Sequence, residues 1–189
     1  MKANQPIAFM QDPQLIESQL IFDGKIMQVY QNQLKGPHGQ CLTRELVHHQ
    51  DAVAILALTN NQEVILVQQY RPAVAKDLYE VPAGLMDRED EDPLQTAKRE
   101  LEEETGYQAA RWTNLGKYYV SPGFVDEAIH LFMAQDLQRV DQPLPQDDDE
   151  AVEAVLFDRH QIKKMLANHE ITDLKTVYAL SHWLAKEDD

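Results

Sequence analysis

Apolar and polar positions along the chain alternate between short strand-like runs and three helical stretches. Ala52–Leu58 is apolar throughout, the pattern of a strand buried on both faces. Glu63–Tyr70 follows across Asn60-Asn61, which predicts a hairpin joining Ala52–Thr59 to Glu63–Tyr70. Lys25–Leu34 and Cys41–His49 read as two more strands, split by the turn-forming KGPHGQ. LYEVPAG is a short extended piece ending in a Pro-Ala-Gly turn. Further strands are expected near Trp112–Val120, Ala128–Leu137 and Ala151–Phe157.

Helical spacing is clearest in Pro93–Thr105. Asp92 suits the N-cap, Pro93 the first helical position, Gln95 a capping box and Gly106 a left-handed stop. Leu94, Ala97 and Leu101 form its apolar stripe. Two more helices are expected near Arg159–Asn168 and Leu174–Lys186. In the last, Leu180, Trp183 and Leu184 make a stripe suited to core or subunit contact. Strands with a central helix and a helical end predict an α/β fold, a mixed sheet sandwiched by helices.

Composition narrows the function classes. With 17 basic against 32 acidic residues the formal net charge is −15, and no basic patch exists for nucleic acid. Cys41 is the single cysteine, so neither an intrachain disulfide nor a cysteine metal site can form, and a packing role is expected for it. MKANQPIAFMQDP lacks a signal peptide's apolar core, and no run reaches the length of a membrane span. A cytoplasmic protein is expected. His48 and His49 are neighbours on a strand and point to opposite faces, which argues against a shared metal.

The chemistry is concentrated in KRELEEETGY, Lys98–Tyr107. Like charges three and four apart on a helix cost about 0.2–0.5 kcal/mol per pair. Glu100, Glu103 and Glu104 fall within about 100° of arc, beside the apolar stripe, and Arg99 can pair with Glu103. Bare, such a run is a solvated acidic face. Placed at the edge of a packed face, hard oxygens clustered this way suit Mg²⁺ or Mn²⁺.

Gly84–Tyr107, GLMDREDEDPLQTAKRELEEETGY, resembles the signature of the Nudix hydrolases: Gly, five residues, Glu, seven residues, then Arg-Glu-apolar-x-Glu-Glu-x-Gly-apolar. Glu91, Arg99-Glu100-Leu101, Glu103-Glu104 and Gly106-Tyr107 satisfy everything after the first spacer. That spacer holds six residues here, so a strict count from Gly84 reaches Asp90 instead of Glu91. The resemblance implies a Nudix α/β/α sandwich with a mixed sheet. It also implies metal ligation by Glu100, Glu103, Glu104 and the carbonyl of Ala83, with Arg99 orienting the glutamates.

The similarity extends beyond the signature. SPGFVDE, Ser121–Glu127, resembles a loop of the family's ADP-ribose pyrophosphatases, with Pro122 sixteen positions after Gly106. It implies substrate contacts for Arg44, Arg71, Glu80, Leu85, Pro122 and Glu127. A guanidinium fork suits phosphate oxygens better than a lysine. In LPQDDDEAVEAVLFD, Asp148 and Glu150 stand at the spacing of a second acidic motif, and either is a candidate general base. The implied enzyme is a Mg²⁺-dependent (or Mn²⁺-dependent) ADP-ribose pyrophosphatase yielding AMP and ribose 5-phosphate. Alternatives are another nucleoside diphosphate sugar as substrate, or a non-catalytic module that binds ADP-ribose. An N-terminal antiparallel strand subdomain, residues 1–49, would precede the catalytic domain, residues 50–189. It would support a homodimer by completing the partner's pocket.

Overall fold

The computed structural model describes residues 6–88, 92–146 and 152–185. After a 3-10 turn at Ala8–Gln11, β1 (Leu15–Asp23), β2 (Met27–Lys35) and β3 (Cys41–His49) pair in that order as an antiparallel sheet. β1 escapes the sequence pattern because LIESQLIFD leaves most of its apolar residues on the surface, Ile16, Leu20, Ile21 and Phe22 included. Register sets Asn32 of β2 opposite Ser18 on one side and Arg44 on the other. Asn32 is buried, and its Oδ1 accepts from Ser18 Oγ at 2.6 Å. Cys41 is exposed, not packed: at the strand edge its Sγ donates to Gln33 Oε1, 3.0 Å away.

The larger, mixed sheet has seven strands. They are β4 (Ala52–Leu58), β5 (Val64–Arg71), β6 (Lys76–Glu80), β7 (Ala83–Leu85), β8 (Tyr107–Tyr119), β9 (Ala128–Arg139) and β10 (Glu153–Phe157). The main path runs β10-β5-β4-β9-β8, with β6 paired to β5 and β7 to β4. Every residue of β4 is buried, as its unbroken apolar run requires. Fully enclosed side chains such as Ile55 and Leu56 each contribute roughly 1.5–3 kcal/mol. The β4–β5 hairpin closes where Asn60-Asn61 predicts, with Thr59 N donating to Glu63 O at 2.9 Å.

Helix α1 (Pro93–Thr105) has the expected bounds. Asp92 Oδ1 accepts from the amides of Leu94 and Gln95, and Gly106 ends the helix at φ 72°, where a side chain would be strained. Thr96, Ala97 and Leu101 are buried, and α1 packs on β5 and β10. Helix α2 (Arg159–Ala167) starts in a capping box formed by Asp158 and Gln161. Helix α3 (Leu174–Ala185) packs on α2 and β6 and buries Leu180 and Trp183. No helix among the described residues is long and apolar enough to cross a membrane.

The chain forms two compact units. The first comprises Met1–Ala52, Leu85–Glu91 and Lys117–Ile129; the second comprises Val53–Gly84, Asp92–Gly116 and His130–Asp189. Besides the N-terminal strands, the first unit therefore takes in two later segments that a linear division of the sequence does not reveal.

Candidate active site

Within the second unit, the start of β7 lies against α1. Ala83 N donates to Glu104 Oε2 at 2.9 Å, tying the strand to the helix. Gly84 faces the Glu100 carboxylate so closely that a Cβ there would overlap it. Glu100 and Glu104 are both buried, as is Arg99. Arg99 Nη1 donates to Glu100 Oε1 at 2.6 Å and to Glu103 Oε2 at 2.8 Å. One guanidinium thus fixes two carboxylates and offsets part of the charge that burial would otherwise penalise.

These four side chains keep three carboxylates against a single arginine, a surplus of negative charge on hard oxygens. Among the described residues no three acidic, histidine or cysteine side chains close into a cage. That combination fits a hard divalent cation such as Mg²⁺, which retains waters and completes its shell with substrate phosphate oxygens.

On the same unit, Glu80 ends β6 and is 2% exposed. Arg71, at the end of β5, meets it as a fork: Nε to Oε1 at 2.7 Å and Nη2 to Oε2 at 2.8 Å. Lys175 Nζ, from α3, also donates to Glu80 Oε2. Burial pushes the Glu80 carboxyl up, but the hydrogen bond from Arg71 and the charge and hydrogen bond of Lys175 outweigh it. The net position is below the usual range. The guanidinium of Arg71 is raised, first by its hydrogen bond to Glu80, and the nearby Glu104 charge adds to this.

Sequence reasoning missed Lys175, which is 95 residues from Glu80 in the chain. The signal that could have pointed there is Asp173, a helix N-cap whose Oδ2 accepts from Thr176 N at 3.0 Å and from Thr176 Oγ1 at 2.6 Å. Thr176 Oγ1 in turn accepts from Val81 N at 2.9 Å, fixing α3 to the segment after β6.

In the first unit the Ser121–Glu127 loop is fastened to β3. Val47 N donates to Phe124 O at 2.7 Å and Asp126 N to Val47 O at 3.2 Å. Asp126 also accepts from His48 Nδ1 at 2.8 Å and from His49 N at 3.0 Å. His49 Nδ1 donates to Gln50 O and lies 3.6 Å from Glu127 Oε2. Pro122 lines a largely apolar cleft of about 300 Å³ with Phe9, Leu46, Tyr119 and Phe124. Arg44 is exposed on β3, with Nη1 on the carbonyl of Thr43, and Leu85 is half-buried at the end of β7.

A second cleft, of about 660 Å³, belongs to the second unit and is lined by Glu103, Glu104, Arg139, Gln146 and Glu153, among others. Gln146 binds the backbone of Val152 twice, Nε2 to the carbonyl at 2.9 Å and Oε1 from the amide at 3.2 Å. Asp148 and Glu150, the candidate bases, and Asp90 and Glu91, the alternative first acids, lie outside the described residues.

A family model described as the NUDIX domain matches residues 48–180. The chain is 38% identical over 172 residues to an ADP-ribose pyrophosphatase of Bacillus subtilis (strain 168), covering 91% of this chain and 92% of that protein. It is 37% identical, over the same shares, to a methanol dehydrogenase activator of Bacillus methanolicus. A crystal structure of an ADP compounds hydrolase shares the fold, with TM-score 0.79 over 92% of this chain and 94% of that one, at 21% identity. With its carboxylate helix pressed on a glycine-bearing strand and the family domain matched across most of its length, the chain belongs to the Nudix hydrolases.

Proposed function

We propose that the chain hydrolyses the diphosphate of ADP-ribose in a divalent-metal-dependent reaction, giving AMP and ribose 5-phosphate. The observation that carries this is the buried Arg99–Glu100–Glu103 cluster, with Glu104 bonded to Ala83 N. The 38% identity to an ADP-ribose pyrophosphatase across nearly the whole chain supports the choice of substrate.

Glu100, Glu103, Glu104 and the Ala83 carbonyl would hold the cation, Mg²⁺ or Mn²⁺. Bound there, it supplies charge neutralisation at the phosphate oxygens and lowers the pKa of a water. Arg99 keeps the carboxylates in one arrangement, so little reorganisation is left for the moment of reaction. Arg71 has a third nitrogen, Nη1, that its fork to Glu80 does not use; it would take a phosphate oxygen. Arg44, Glu127, Leu85 and Pro122 would contact the remainder of the substrate. Asp148 or Glu150 would accept the proton of the attacking water.

Exposed Ile16, Leu20, Ile21 and Phe22 on β1 support a homodimer, because a three-stranded sheet cannot bury its own apolar face. Sedimentation at nanomolar concentration checks this, and a fully active monomer there would rule it out.

The deciding experiment is product analysis over a panel of nucleoside diphosphate compounds in Mg²⁺. ADP-ribose should give AMP and ribose 5-phosphate at the highest catalytic efficiency. A better sugar nucleotide would reassign the substrate, a better nucleoside triphosphate would remove the chain from this branch, and binding without turnover would make it a sensor.

A further inference from the structure

Arg71, Glu80 and Lys175 join the ends of β5 and β6 and the first turn of α3 through one enclosed carboxylate. Glu80 has two oxygens and three donors: Arg71 Nε and Nη2, and Lys175 Nζ. At 2% exposure it has little access to solvent or to a ligand, so its bonds within the protein define what it does. Lys175 is held from the other side by Asp173 Oδ1 at 3.1 Å, and its side chain is 14% exposed against 40% for Arg71. The two anions and two cations balance, which offsets the cost of enclosing the group. Of the four, the arginine is the one open to solvent.

From this geometry we infer that Lys175 is a positioning residue for substrate binding, acting through Glu80 to hold the Arg71 guanidinium in one orientation toward a diphosphate. This rests on the reading that Arg71 meets the substrate. The physical reason for a second cation is rotational. A carboxylate bonded only to Arg71 can swing with it about its own terminal torsion, which is broad. Lys175 on Oε2 fixes the carboxylate plane, and the fork then transmits that plane to the guanidinium. Thr176, next in the helix, holds Val81 N and so keeps α3 in register with the Glu80 end of β6. A preoriented arginine binds phosphate without first losing rotamer freedom, so the gain appears in affinity.

Calorimetric titration with ADP-ribose in EDTA reads binding without turnover, and KM and kcat in Mg²⁺ are measured beside it. Lys175→Met should weaken binding and raise KM by about tenfold, the loss of one charged hydrogen bond, with kcat at saturation nearly unchanged. Lys175→Arg should recover most of the affinity, and Lys175→Met should add nothing in an Arg71→Ala background. Should Lys175→Met fail to fold, Lys175→Gln, which keeps a donor without the charge, is held to the same criteria. Unchanged affinity in the Lys175 variants beside a loss in Arg71→Ala overturns the positioning role and leaves the substrate reading of Arg71 intact. Additive losses in the double variant overturn it too, since Lys175 would then act on the ligand independently. No loss in Arg71→Ala removes the substrate reading itself, and the positioning role with it.

Discussion

Gly84 and Glu100 occupy adjoining space that only a hydrogen side chain permits: a Cβ on residue 84 would overlap all three carboxyl atoms of Glu100. Glu100 cannot simply turn aside, because it is buried and bonded to Arg99 Nη1 at 2.6 Å. The obstructed group is nevertheless the far end of a side chain and not backbone, so relief costs the carboxylate its position before it costs the fold.

Gly84→Ala should therefore remain folded, with a stability loss on the order of the 1–3 kcal/mol typical of overpacking, while turnover falls about 10²-fold or more. Thermal melting and kcat, measured on the same preparation, separate the two effects. Near-normal turnover in a folded Gly84→Ala protein would show that the Glu100 position is not critical.

Glu103→Gln and Glu104→Gln should each reduce kcat by about 10²–10³-fold, the scale of losing one preorganised electrostatic group. Folding should survive both changes. The carboxamide oxygen introduced by Glu104→Gln can still accept from Ala83 N, and Arg99 keeps Glu100 when residue 103 loses its charge. Metal dependence of the rate is the specific readout: both variants should need more Mg²⁺ for half-maximal activity. Parent-like rates at ordinary Mg²⁺ would refute the ligand assignment.

Legibility in the sequence follows how locally each feature is determined. The bounds of α1 are legible because Asp92, Pro93 and Gly106 each act within a turn of the helix end they mark. The buried β4 is equally clear from its unbroken apolar run. Strand β8 is expected from about Trp112 but begins at Tyr107, immediately after Gly106. Its opening residues, Tyr107–Arg111, carry no run of alternating large apolar side chains, and no loop separates them from the helix. Periodicity places the glutamates on one arc of α1, and spacing pairs Arg99 with Glu103. What periodicity cannot convey is contact across the sheet and between elements: Gly84 against Glu100, Lys175 on Glu80, or His48 on Asp126.

Acid should weaken the fold partly through Glu80. Its carboxyl titrates below the ordinary 4.5 in the folded chain, under Arg71 of β5 and Lys175 of α3, with Asp173 on the far side of Lys175. A depressed carboxylate contributes stability that is complete above its unfolded pKa and is lost as pH falls through the folded value. Lys175→Met removes one depressing charge, so the contribution is smaller from the start. The stability gap between the parent and Lys175→Met should be largest near neutrality and should narrow as pH drops from about 5. Urea midpoints across that range test the sign, and a gap that widens in acid would contradict it.

The general base should be sought between Gln146 and Val152 and not on α1. A carboxylate that ligates a cation is a poor proton acceptor, because the cation depresses its basicity. Glu100 and Glu103 are, in addition, each committed to Arg99. An acid free of that cluster is needed, and the run that carries Asp148 and Glu150 is bounded by Gln146 and Val152, which are tied by two hydrogen bonds. Gln146 and Val152 themselves line the cleft beside Glu103 and Glu104, on the side of the carboxylate helix. Asp148→Asn combined with Glu150→Gln should lower kcat about 10²–10⁴-fold, the usual range for a lost base, with Mg²⁺ affinity little changed. Gln146→Ala should lower kcat less, by slackening the anchor while leaving both acids in place. Each single variant then assigns the role: the base is the residue whose change alone reproduces most of the double variant's loss. If the double variant turns over within a few-fold of the parent, the proton goes elsewhere, and Glu103, which lines the same cleft, becomes the next acceptor to test.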